Sequence, residues 1–140
     1  MLRQDYVLRL IEQFARSLSG LLKRILGRQV EAAEVRAELT SIGTQAGLDL
    51  EVAQGLDEAM LLMWLAPFGE IDPGRFWLMA ELLFLDGLQA REDGEMARAR
   101  GDFERARAIL ARVDTEWRPQ PDLASVGERQ SEIERMLGEF

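Results

Sequence analysis

Two acidic clusters, Glu92-Asp93-Glu95 and Asp57-Glu58, are the places where side chains of this sequence could act together chemically. Grouped carboxylates can hold a hard cation or divide acid and base roles between them. Adjacent acids on a helix point in different directions, however, and no Glu-x-x-His pair is present to build a two-metal site in a bundle. Histidine and cysteine are both absent. That removes near-neutral imidazole chemistry, thiolate ligands and nucleophiles, disulfides, and every Ser–His or Cys–His arrangement. Any enzyme built on the chain would have to use carboxylates, Tyr6, Lys23 and arginines alone. The stretch "GEMARARG" (94–101) lacks both a preceding strand and a Walker lysine, so it is not a phosphate loop. The expectation is a protein that is not an enzyme, with no catalytic, metal or cofactor site, whose acidic clusters are solvated faces.

Positioning elements follow from composition and periodicity. With 140 residues, 47% hydrophobic and 30% charged, the chain suits one folded domain with a real core. The net charge of −8 argues against nucleic acid as a partner, because phosphate binding requires a basic surface. Residues 1–28 carry six basic and two acidic side chains, a net of +4, so the other 112 residues carry −12. A basic helix can address an anionic membrane or an acidic partner; the alternative is that it neutralises the acidic remainder of its own chain. The start lacks the continuous apolar core of a signal peptide. The apolar runs "AMLLMWLAPF" (59–68) and "FWLMAELLFL" (76–85) are well short of the roughly 20 residues that span a bilayer. They read as buried core helices in a cytoplasmic protein.

The fold class is all-α, with about six helices in one domain. Over 1–28, Val7, Leu10, Ile11, Phe14, Leu18, Leu21, Leu22 and Ile25 recur at steps of three and four, one stripe of a long basic amphipathic helix stopped at Gly27. The first six form a candidate self-association seam, since such a stripe can pack within one subunit or across a dimer. A helical pair fills 31–66, its members running from about Glu31 to Ala46 and from Asp49 to Leu65. The second of them looks buried on most sides. Asp72 and Pro73 open the next helix, which the periodicity carries to about Arg100. A Pro-containing linker, "TEWRPQPD", precedes a terminal helix in 122–140, where Ser125 and Glu128 are spaced for a capping box. Its sparse apolar residues predict loose packing or a neighbouring chain.

Residues 73–114 read as an antiparallel hairpin. Gly87, Ala90, Gly94, Ala97 and Gly101 form a ridge of small residues, and Phe103, Ala106, Leu110 and Val113 offer a facing stripe. Gly101 is expected to end the first helix and Asp102 to cap the second. Over 87–114 this pattern resembles a tetratricopeptide repeat, a family of paired antiparallel helices. The matching residues are Gly94, Gly101-Asp102-Phe103, Ala106 and Leu110. Ala97 and Ala90 stand where the family has large aromatics, and no second copy follows in tandem. The stretch "QDYVLRLIEQF" (4–14) is similar to the start of a family of small bacterial proteins of unknown function that pair such a helix with a repeat-like hairpin.

The resemblance to repeat helices implies a surface for partners. The expected function is a protein–protein interaction or self-assembly module, with an unidentified protein or a second copy as partner and a homo-oligomer as the expected state. The alternative is peripheral membrane association through the basic helix, which would need an apolar face free to enter lipid.

Overall fold

The computed structural model describes the backbone of residues 2–140 and the side chains of residues 6–140; Arg3 and Asp5, counted above in the basic helix, lie outside the described side chains. Seven helices and no strand occur among the described residues: α1 (Leu2–Leu26), α2 (Ala32–Ala46), α3 (Leu50–Gln54), α4 (Glu58–Leu65), α5 (Pro73–Glu92), α6 (Met96–Leu110) and α7 (Val126–Leu137). None is long and apolar enough to cross a membrane.

The central element is α5. Every residue from Phe76 to Ala90 is buried, the pattern of a helix apolar on all sides. Asp72 accepts from the Gly74 and Arg75 amides and Pro73 occupies the first turn, so this helix starts where the sequence predicts. Around it pack α6, α1, α2 and α3, while α7 lies on α6. The α1 stripe turns inward: Val7, Leu10, Ile11, Leu18, Leu21 and Ile25 are buried, and Phe14 packs half-buried against the same core. α1 ends at Leu26 as expected, but the left-handed conformation falls on Arg28 (φ 54°) and not on Gly27.

Two boundaries differ from the sequence reading. The helix expected over 49–65 is broken into α3 and α4 at residues 55–57, because Asp57 acts as a second N-cap, accepting from the Met60 amide as Asp49 does from Val52. Only Leu61 and Leu65 of α4 are buried, and Met60 and Met63 face outward. The fully buried role belongs to α5.

The hairpin turn lies seven residues earlier than predicted. α5 stops at Glu92, Gly94 takes φ 78°, its amide donates to the Arg91 carbonyl, and the Glu95 amide reaches the Ala90 carbonyl at 2.9 Å. This is a Schellman-type closure. Gly101 and Asp102 lie inside α6. The physical reason is burial: a turn at 101–102 would carry Ala99 and Phe103, both fully buried here, into a solvent-facing loop, whereas Asp93, Gly94 and Glu95 are exposed. The small-residue ridge is therefore split. Gly87 and Ala90 on α5 meet Ala99, Phe103 and Ala106 in the core, Gly94 forms the turn, Ala97 is exposed and Gly101 is half-buried. Leu110 is buried near the end of α6.

The last helix is firmly seated. Its capping box joins Ser125 and Glu128 as predicted. Val126, Ile133 and Met136 are buried, and Arg129 reaches Glu81 on α5. The linker before it is tied down by Arg118, which donates to the Pro121 and Leu123 carbonyls.

Candidate functional site

Three places bring polar or apolar side chains into unusual surroundings. The first is an internal cluster where α2, α3, α5 and α6 converge. Gln54 on α3 donates from Nε2 to Asp86 Oδ2 at 2.7 Å and to Asp102 Oδ1 at 2.9 Å. Arg98 on α6 grips Asp86 with two bonds, 2.8 Å and 3.2 Å, and Arg36 on α2 reaches both Gln54 Oε1 and Asp86 Oδ1. Asp86 and Asp102 are each 1% exposed. Burial pushes Asp86 up, but hydrogen bonds from Asp102, Arg98 and Gln54 and the Arg98 charge outweigh it and hold its carboxylate below the usual range. Burial, then the hydrogen bond and charge of Asp86, push Asp102 up to about 8, against Gln54 and Arg98. Asp102 is thus a neutral acid at pH 7. Its Oδ2 is buried and receives no donor, and the hydrogen bond between the two acids places a proton between them, since two carboxylates cannot donate to each other. The pair holds one proton between two carboxyls. Neither acid lines either of the two spaces described below.

The second place is the α5–α7 contact. Arg129 Nε and Nη2 each lie 2.7 Å from a Glu81 oxygen, its Nη1 reaches Glu132 at 2.9 Å, and its guanidinium sits 4.2 Å from the Phe84 ring centroid. Such a bidentate, stacked pair fixes orientation strongly. Beside it lies a shallow space of about 170 Å³ that includes Leu18, Ser19 and Asp122.

The third is a cleft of about 590 Å³ between the start of α1, the end of α2 and the α4–α5 loop. Tyr6, Leu65, Ala66, Pro67 and Phe68 form much of its wall, with Glu70, Asp72 and Arg75 among the polar groups. The Tyr6 hydroxyl donates to the Gln45 carbonyl at 3.2 Å. Arg75 donates to the Leu65 carbonyl and lies over the Trp64 ring. Phe68 is 87% exposed, Met63 65% and Met60 50%. The cleft lies within the size range of ligand and anchor pockets, and its exposed aromatic is the feature a folded surface rarely keeps without use.

The acidic clusters singled out in the sequence do not converge. Asp57 caps α4, Glu92 pairs with Arg28 at 2.7 Å, Glu95 with Arg98, and Asp93 accepts from Gln89. No group able to hold a metal ion occurs among the described residues. The six seam residues line the chain's own core beside α5; of the ridge residues, Gly87, Ala90, Phe103, Ala106 and Leu110 are buried, Gly94 forms the turn, Ala97 is exposed and Gly101 half-buried. Sequence reasoning missed Glu81, Asp86, Asp102, Arg129 and the cleft. Glu81 and Asp86 carried a signal, each being a lone acid inside an apolar run ("FWLMAELLFLDGL", 76–88). Compared with protein families, curated proteins and solved structures, the chain matches none.

Proposed function

We propose that the protein is a small helical interaction module that receives a protein partner on the outer face of α4 and in the cleft beside it. The observation that carries this reading is the exposure of Phe68 at the cleft together with Met60 and Met63 on α4. Several large apolar side chains left exposed within one short segment are what a protein contact surface carries. The tetratricopeptide resemblance places Gly101-Asp102-Phe103 at the turn, but these residues lie inside α6, so it lends this reading no support. The internal polar clusters are read as scaffold, since their hydrogen bonds tie α2, α3, α6 and α7 to α5.

The burial of Val7, Leu10, Ile11, Leu18 and Leu21 disfavours the lipid alternative, because the apolar stripe is committed to the core and the exposed Tyr6, Leu8 and Leu26 form no continuous face to insert. The test is quantitative co-purification of the tagged full chain against its Met63→Ser/Phe68→Ser variant, with the melting temperature of both recorded. The reading expects at least one protein, or a second copy, retained by the wild type and lost from the variant. Identical retention profiles for the two would remove it.

A further inference from the structure

The charge around this apolar face restricts what can cover it. Between Arg36 and Arg75 the chain has no lysine or arginine in 38 consecutive residues, yet it has seven acids: Glu38, Asp49, Glu51, Asp57, Glu58, Glu70 and Asp72. Four of these have internal duties. Glu38 pairs with Arg24, and Asp49, Asp57 and Asp72 cap α3, α4 and α5. Glu51, Glu58 and Glu70 are exposed and stand in no ion pair among the described residues. The same segment contributes Val52, Met60, Met63, Phe68 and Ile71, half of the ten exposed large hydrophobics among the described residues, in little more than a quarter of the chain. On α4, Ala59, Met60 and Met63 point away from the buried Leu61 and Leu65. Exposed methionines in an acid-rich segment, next in sequence to a cleft whose cation Arg75 is engaged with the Leu65 carbonyl and the Trp64 ring, have the chemistry of a surface for a positively charged helix.

We propose that the α3–α4 face and the adjoining cleft dock a cationic amphipathic helix of a partner protein. This rests on the interaction reading above and specifies its occupant. One or two apolar anchors of the incoming helix enter the cleft between Tyr6 and Phe68, and its apolar stripe covers Met60 and Met63. Its lysines or arginines meet Glu51, Glu58 and Glu70. A second copy's α1 supplies positive charge through the exposed Arg9, Arg16 and Lys23, but its apolar stripe is committed to its own core. The apolar residues it leaves exposed, Tyr6, Leu8 and Leu26, lie at the two ends of the helix and form no stripe of anchors. Nucleic acid and anionic lipid carry the wrong charge for this face.

The test uses the full-length protein and a labelled synthetic peptide of about 18 residues, leucines on one helical face and lysines on the other, the length of a five-turn helix. A control peptide keeps the leucines and replaces every lysine by glutamate. Anisotropy titrations are expected to show binding of the lysine peptide that weakens with added salt. Met63→Ser/Phe68→Ser should weaken it by about tenfold or more, as loss of central anchors does. Glu58→Gln/Glu70→Gln should weaken it by a smaller factor, and Leu26→Ser, at an exposed apolar site on α1, should leave it unchanged. An unchanged melting temperature in each variant establishes that the fold is retained. Equal binding of the lysine peptide to the Met63→Ser/Phe68→Ser variant overturns the proposal. Binding of the glutamate peptide that depends on Phe68 also overturns it, while leaving the interaction reading in place. Sedimentation showing self-association abolished by Phe68→Ser assigns the face to a second copy and has the same effect. If neither peptide binds, the proposal falls, and the interaction reading is decided separately by the co-purification described above.

Discussion

Asp102 sits in the middle of α6 with its carboxyl between Gln54 and Asp86, so its protonation is a matter of stability. Its folded-state value of about 8 lies above the 3.8 of an exposed aspartate. Through that window the folded chain holds a proton that the unfolded chain releases, so the contribution of Asp102 to stability falls as pH rises from about 4 to about 8. Asp86 is shifted the other way: its contribution is present above the unfolded value and is lost as pH falls below it. Asp102→Asn reproduces the neutral acid without its titration. The variant should match the wild type at about pH 4 and exceed it increasingly toward pH 8 in urea or thermal unfolding. An ionised Asp102 in the folded state would instead make the asparagine costly at pH 8. Arg129 gives a second expectation. It and Glu81 are 4% and 3% exposed, so Arg129→Met leaves a buried carboxylate without its partner and should cost about 3 kcal/mol in urea unfolding. Adding Glu81→Gln to that variant should restore part of the loss.

At the scale of elements, the α5–α6 hairpin shows how far spacing alone can specify a turn. Gly87, Gly94 and Gly101 repeat every seven residues, so small-residue periodicity fits a turn at either of the last two. What decides between them is which residues each choice would bury, and that depends on α5 being enclosed on every side, a tertiary fact. Three alanine substitutions separate the alternatives in thermal unfolding. Gly94→Ala forces a side chain into the left-handed region (φ 78°) and should destabilise by about 1 kcal/mol. Gly101→Ala lies within a helix, where its Cβ would meet only the mobile end of Arg105, and should stabilise by about 0.5–1 kcal/mol. Gly87→Ala would bring a Cβ to 2.8 Å from the Phe103 ring and should cost about 1–3 kcal/mol through overpacking. A turn at Gly101 would reverse the first two results. The break between α3 and α4 belongs to the same scale. Asp57 has the right chemistry for a cap, but its signal is masked by the continuous apolar run that follows it.

Across the whole molecule, the legible part of the sequence was everything set by local periodicity: all-helical content, the α1 stripe, the Asp72-Pro73 start and the Ser125 capping box. The illegible part was which surface each stripe meets. An apolar stripe looks the same whether it packs within a chain or between chains, so Val7, Leu10, Ile11, Phe14, Leu18 and Leu21 fitted a self-association seam. In the fold they pack beside α5, on the core that also takes in α2. The internal acids were obscured for a related reason, since the partners of Asp86 come from positions 36, 54, 98 and 102. This arrangement gives a consequence at the molecular scale. If the seam belongs to the fold of a single chain, unfolding should depend on its packing and not on protein concentration. Leu18→Ala, at a fully buried position, should lower stability by about 3 kcal/mol. Its unfolding midpoint should stay constant over a hundredfold range of concentration, as should that of the wild type carrying Met63→Ser/Phe68→Ser to remove the outer apolar face. A midpoint that rises with concentration in that surface variant would place part of the α1 stripe between chains.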